Sequence, residues 1–227
     1  MHIVTLSFDD GFERSSIRTA EIFERFGLVA ELHVLAAGHL GEPKEHWHSR
    51  WPKGDFGLWS ELHARGHRVM PHGYRHANKA ELPLDEAKRL IEACLDVFRA
   101  ELDGFDASKA SFAFPYNRSS SEVEAWLGTR VRAFRTGGDP IMPLPRRGQQ
   151  KVTCASCGPG PADDDLSRTI ESFLAGPPGW LCYNLHGLDD EGWGPVGSRA
   201  LTRLLDQLVT REARVVPITT ALDLAPP

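Results

Sequence analysis

The chain has 227 residues, 41% of them hydrophobic and 25% charged, which is enough apolar content for a buried core and too much for a disordered chain. With 26 Lys+Arg against 31 Asp+Glu the formal charge is -5, the two signs are interspersed, and no basic stripe is offered to nucleic acid. No apolar run is long enough to span a bilayer, and the first residues run straight into a motif, so no signal peptide is expected. The expectation is one cytoplasmic domain over residues 1–227, without nucleic-acid or membrane partners and of open oligomeric state.

Along the chain, Ile3-Val4-Thr5-Leu6 predicts a buried strand that ends in Ser7-Phe8-Asp9-Asp10-Gly11. Ionised neighbours repel, so two acids at a strand end point to one held by a cation and the other kept for a different task. Taken alone, the same residues also read as a polar turn. Ser15 or Ser16 is a candidate cap for a helix with Ile17, Ala20, Ile22, Phe23 and Phe26 on one face, stopped by Gly27. A strand is expected over 28–35. Residues 36–57 then form a long connection containing His46-Trp47-His48 and Trp51, either a loop over a binding site or one packed on the outer surface.

A short helix over 58–64 leads to a strand at Arg68-Val69-Met70-Pro71 and then His72-Gly73-Tyr74-Arg75-His76, whose two histidines meet on one face if the segment is helical. The clearest helix runs from Asp85 to about Leu102, followed by a strand over 110–114 that enters Pro115-Tyr116-Asn117. Further helices are expected over 119–127, 164–174 and 198–212. Strands are expected over 130–135, 151–153 and 180–185, the last ending at His186, and at Val215-Val216. A final short helix would be capped by Thr219 or Thr220. This alternation is the signature of a βα barrel or a doubly wound sheet, both of which place their chemistry at strand C-terminal ends. Cys94 and Cys182 read as buried hydrophobes, whereas Cys154-Ala-Ser-Cys157 suits a redox pair, half a zinc site, or a loop that carries two thiols.

Asp10, His72 and His76 offer one carboxylate and two imidazoles, a set that leaves positions open on zinc or a similar divalent ion and so points to catalysis. Asp9 is then the candidate base and His186 the candidate acid, the layout for hydrolysing an amide or ester. The residues resemble the polysaccharide deacetylases, the NodB-homology carbohydrate esterases. Ser7-Phe8-Asp9-Asp10-Gly11 resembles the first motif, and Gly66-His67 with His72-Gly73-Tyr74-Arg75-His76 the second. Phe112-Ala113-Phe114-Pro115-Tyr116 resembles the third, and Asn184-Leu185-His186 meets the last, a Leu-x-His, only loosely.

The resemblance implies a distorted (β/α) barrel of seven or eight strands and metal-dependent removal of N-acetyl groups from an amino sugar or related carbohydrate amide. It implies one divalent metal per chain, zinc first, on Asp10, His72 and His76. Asp9 is implied as base, His186 as acid, and Tyr116 as an oxyanion donor through its backbone N–H. Many members carry an arginine that pairs with the base in the third motif, where this chain has Ala113; Arg75, Arg118 and Arg135 are the candidate replacements. The Phe-Ala-Phe-Pro-Tyr form resembles a subgroup acting on poly-N-acetylglucosamine. Asp139 is a candidate orienter of His186, and Trp193, Trp47, Trp51 and Trp59 either stack on a sugar or belong to the core. The competing readings are an allantoinase-like hydrolase of a non-sugar amide and a non-catalytic glycan-binding relative.

Overall fold

The computed structural model describes residues 1–38 and 50–226; His46-Trp47-His48 lies outside the described residues. Seven parallel strands form a ring. Central in its larger sheet is β1 (His2–Asp9), buried along all but its first residue and paired on one side with β8 (Gly179–Leu185) from His2↔Gly179 to Phe8↔Leu185. On the other side β2 (Glu31–Val34) pairs with residues 7–9 of β1 and in turn with β3 (Arg68–Pro71). A second sheet holds β4 (Ser111–Ala113), β5 (Ala133–Gly137) and β7 (Lys151–Cys154).

Two seams join these sheets. Between β7 and β8 the link is an isolated bridge, Ala155↔Tyr183, with Asn184 N donating to Ala155 O at 2.8 Å. No ladder joins β3 and β4 among the described residues, although the two strands are in contact. The barrel is therefore distorted, and two short strands fill its lower edge: β6 (Ile141–Met142) runs antiparallel to β8, and β9 (Arg214–Val215) runs parallel to β1 at Ile3 and Val4. One edge of β1 is thus shared, β9 below and β2 above.

Strand periodicity divides each strand between two environments. Val4, Leu6 and Phe8 face outward into the main core, against the helices. Ile3, Thr5, Ser7 and Asp9 alternate with them and face the barrel interior. The lower interior is apolar, filled by Ile3, Ala133, Val152, Trp180, Ile218 and Leu222. The upper interior is polar, with Glu31, His33, Ser111, Arg135, Asn184 and Asp9 all buried. That gradient puts the buried charges above the apolar plug, with Asp9 at the C-terminal end of β1 and Glu31 at the level of Ser7.

The helices are α1 (Glu13–Glu24), α2 (Phe56–Ala64), α3 (Leu84–Glu101), α4 (Ser121–Leu127), α5 (Asp163–Ala175), α6 (Ser198–Thr210) and α7 (Ile218–Asp223). Their buried stripes follow helical spacing, as in α3 with Ala87, Leu90, Ile91, Cys94, Leu95 and Phe98. Two expected caps are corrected. α1 begins at Glu13 after Phe12, and Ser15 and Ser16 are buried inside it; its N-terminus is satisfied from a distance by Glu191, whose Oε2 accepts from Ser15 N at 2.6 Å. α7 starts after Pro217 rather than at a threonine. No helix among the described residues is long and apolar enough to cross a membrane.

Candidate active site

The site begins where β1 stops. Asp10 and Gly11 take left-handed φ values of 73° and 70°, reversing the chain directly after Asp9. Glycine is required at the second position, because a Cβ on Gly11 would lie 2.9 Å from Trp59 Cζ2 as well as in a strained conformation. The reversal leaves both carboxylates buried. Asp10 Oδ1 lies 3.5 Å from His72 Nε2 and 3.4 Å from His76 Nε2.

His72 sits just past β3 and its Nδ1 is 3.0 Å from the carbonyl of Ala113, which can only accept. Nδ1 therefore carries the proton, and Nε2 presents a lone pair toward the carboxylates. The segment from His72 to His76 is not helical, so the two histidines do not meet as i,i+4 neighbours on a helix face. A bend with Gly73 at φ 101° brings their rings to 5.4 Å instead. One donor atom from each of Asp10, His72 and His76 lies within 4.8 Å of the others. A carboxylate and two imidazoles converging from buried or half-buried positions fit a borderline divalent ion such as zinc.

Asp9 points into the barrel and its Oδ2 accepts a hydrogen bond from Arg135 Nη2. Of the three candidate arginines this is the one that reaches it; Arg75 and Arg118 lie at the surface near Glu86 (3.5 Å) and Glu81 (3.7 Å). Arg135 is the register partner of Ala113 across β4 and β5, so the cation stands one strand over from the third motif. Its Nη1 also donates to Asn117 Oδ1 at 2.7 Å and meets the Cys154 sulfur at 3.1 Å. Burial alone would raise the Asp9 pKa; Arg135, then His72 and His33, outweigh it and hold the carboxyl below its usual range.

Beneath Asp9, His33 Nδ1 lies 3.8 Å from Asp9 Oδ1, and His33 Nε2 is 3.3 Å from Ser111 Oγ. Ser111 in turn donates to Glu31 at 2.8 Å. Burial pushes Glu31 up to about 7 and His33 well below its ordinary value, so the layer under Asp9 carries little charge of its own.

At the end of β8, burial pulls the His186 pKa down against the opposing pull of Asp10 and Asp9. Its ring lies edge-on to Trp193, with centroids 5.0 Å apart. Asp139 does not orient it: that side chain is exposed and accepts from Ile141 N at 2.9 Å. Tyr116 takes a left-handed φ of 59° after Pro115 and sets its ring 4.4 Å from His76. Asp9, His72, His76, Tyr116 and His186 line one pocket of about 300 Å³.

No protein-family model matches the chain, and no curated protein matches it significantly. Solved structures do. A family 4 acetyl xylan esterase from Clostridium thermocellum, in complex with a cobalt ion, superposes with a TM-score of 0.65 at 16% identity, covering 99% of this chain and 93% of that one. A mutant of the peptidoglycan deacetylase PdaC from Bacillus subtilis gives 0.60 at 14% identity, over 97% and 90% of the two chains. A CE4 family pseudoenzyme from Bacillus anthracis gives 0.62 at 16% identity, over 97% of this chain and 65% of that one. The fold is that of the CE4 carbohydrate esterases.

Set on the CE4 fold, the aromatic residues separate by role. Trp193 stands at the pocket, whereas Trp59 is core, packed under Gly11 and Gly54. Trp51 lies edge-on to Phe12 at 5.7 Å, and Trp47 is outside the described residues. All four cysteines are free thiols. Cys154 donates to Asn117 Oδ1 at 3.3 Å and burial raises its pKa, so it is a neutral thiol supporting Arg135; half-buried Cys157 packs on the core. Sequence reasoning missed three pocket residues, Asn117, Ser156 and Asn184. Asn184 had a visible signal, being the polar residue that makes the Leu-x-His match loose.

Proposed function

We propose that this chain is a metal-dependent hydrolase that removes the N-acyl group from an amino sugar or related carbohydrate amide, the N-acetyl group being the simplest case. The observation that carries this reading is the convergence of Asp10, His72 and His76 beside a buried carboxylate held ionised by Arg135. A divalent ion on those three residues, zinc first, would supply Lewis acidity, making water a nucleophile near neutral pH and polarising the amide carbonyl.

The chain's own groups handle the protons. Asp9 Oδ1 faces His33 below, whereas Oδ2, which accepts from Arg135, lies 3.6 Å from His72 Nε2; it is the Asp9 oxygen nearest the candidate ligands and the one to accept the proton of the attacking water. Because Arg135 keeps the Asp9 pKa low, the base stays ionised and ready. His186, in the same pocket, donates to the leaving nitrogen; a lowered pKa makes its imidazolium a strong donor once it forms. Such acid and base groups contribute about 10²–10⁴ each in rate. Tyr116 lines the same pocket with its ring 4.4 Å from His76, which supports its backbone N–H in the oxyanion role. The Trp193 ring at the pocket supports a sugar-bearing substrate.

The test pairs metal content with acetate release. Purified protein is expected to hold one divalent metal per chain, lost in folded Asp10→Ala and His72→Ala variants, and to release acetate from N-acetylated chitooligosaccharides. Metal retained by both variants would refute the ligand assignment. A metal-loaded protein inactive on every acylated amine would leave the non-catalytic glycan-binding reading in its place.

A further inference from the structure

The pocket has a polar floor that the hydrolytic roles leave unused. Asn184 and His186 are two positions apart on β8 and its end, so their side chains share a face, Asn184 about 6.6 Å deeper at the strand rise of about 3.3 Å per residue. Asn184 lines the pocket yet is 2% exposed, and its Oδ1 is buried with no hydrogen-bond partner among the described residues. Its register partner on β1, Ser7, is fully buried, and Ser7 Oγ likewise has no such partner. Among the described residues lining the pocket there is no aliphatic side chain; its apolar surface comes from the rings of Tyr116 and Trp193.

A buried amide oxygen that lines a pocket without a partner is costly unless something in the pocket completes it. The glycan on the leaving nitrogen is the large part of the substrate and needs the pocket mouth, where His186 and Trp193 stand. The acyl substituent is the small part, and the floor is where it fits. A bare methyl placed there would bury the Asn184 amide against nothing that can pair with it. An amide both donates and accepts, so it can receive a hydroxyl or an amino group equally.

We infer, on the hydrolase reading above, that the acyl group removed by this protein carries a hydrogen-bonding substituent, an N-glycolyl hydroxyl or an N-carbamoyl amino group, which Asn184 receives at the pocket floor. The chemistry stays hydrolytic and balanced. Water adds to the carbonyl, the C–N bond to the sugar breaks, and the sugar nitrogen takes up the proton. The acyl product is glycolate in one case and carbamate in the other. A site built to hydrogen-bond a substrate hydroxyl or N–H rejects the analogue lacking it far better than an apolar pocket rejects an added polar group.

The test uses zinc-loaded protein and chitobiose bearing N-acetyl, N-glycolyl or N-carbamoyl groups, with release of free amine as the readout. A second readout is calorimetric affinity for glycolohydroxamate against acetohydroxamate. At least one polar acyl group should exceed acetyl by about tenfold or more in kcat/KM, and glycolohydroxamate should bind about tenfold tighter. The two polar series tell the sources apart, since preference for one alone names the substituent. Asn184→Leu should reverse both preferences, with Asn184→Ala as a smaller change should the first variant fail to fold.

Wild-type protein that cleaves the acetyl substrate as well as the others overturns the inference and leaves the hydrolase reading standing. Equal hydroxamate affinities overturn it too, the floor then holding only a water molecule. If none of the three amides is cleaved, the hydrolase reading fails, and the hydroxamate ratio still decides the chemistry of the floor.

Discussion

Replacing Arg135 by alanine tests the central electrostatic argument, because it removes the guanidinium that pairs with Asp9 and leaves the carboxylate buried. Breaking a buried pair from one side costs about 3–5 kcal/mol, a large share of the about 5–15 kcal/mol by which a domain is stable. The loss should appear as a lower midpoint in urea denaturation followed by circular dichroism. With the guanidinium gone, burial dominates and the Asp9 pKa rises. The acidic limb of the kcat/KM profile should then move to higher pH, and kcat/KM at neutral pH should fall by about 10²–10⁴. Asp9→Asn in the Arg135→Ala background should recover stability without recovering activity, since it removes the stranded charge together with the base. Ala113→Arg in that background should restore part of both, because position 113 is the register partner of Arg135 on the neighbouring strand. An Arg135→Ala protein within about 1 kcal/mol of wild type and with an unmoved acidic limb would refute the pairing argument.

Other outcomes follow from the surroundings of the site. Burial raises Glu31 from 4.5 to about 7, so between those values the folded chain holds a proton that the unfolded chain has released. The stability this group contributes is complete below about pH 4.5 and falls by about 3 kcal/mol as the pH rises to about 7. Glu31→Gln should flatten that slope in urea titrations at pH 5 and pH 8, and an unchanged slope would place the proton elsewhere. Glu191→Ala removes the acceptor at Ser15 N and should cost about 0.5–2 kcal/mol, read in the same assay. Gly11→Ala places a Cβ 2.9 Å from Trp59 at φ 70°. It should therefore cost at least the about 1–2 kcal/mol of a left-handed non-glycine residue, and should weaken metal binding by displacing Asp10, as read by competition with a chelator.

What was legible in the sequence is what repeats locally. The amphipathic stripe of α3 follows helical period, and its bounds of 84–101 are close to those read from the pattern. Asp9, Asp10 and His72 were legible as candidates because each stands at or just past the end of a predicted strand, where a parallel α/β fold collects its chemistry, and His76 because of its spacing from His72. What was not legible depends on contacts distant along the chain. The cap of α1 comes from Glu191, across the fold, so the nearby serines were the natural but mistaken choice. β6, two residues long, pairs antiparallel with β8 from within a Pro- and Gly-punctuated stretch and leaves no periodic trace. Arg135 stood among three equivalent arginines until the register of β4 and β5 set it beside position 113. The role of Asp139 failed for the opposite reason, since a local turn at Ile141 claims its carboxylate.

The barrel also explains why the site can be both buried and charged. Below, Trp180 Nε1 donates to Thr5 Oγ1 at 3.0 Å, and that hydroxyl donates to the Val216 carbonyl at 2.8 Å, closing the last polar groups of an apolar plug. Above that level nearly every inward position of the central strands is polar, through Ser7, Asp9, Glu31, His33, Ser111 and Arg135. Ala113 stands among them, beside the long side chain of Arg135. A large residue at 113 would compete with Arg135 for the same interior space, so the small residue and the displaced arginine form one solution. In this chain the cation at Asp9 comes from β5, and the neighbouring β4 position leaves it the room. Alanine at 113 therefore does not leave the Asp9 carboxylate without a cation.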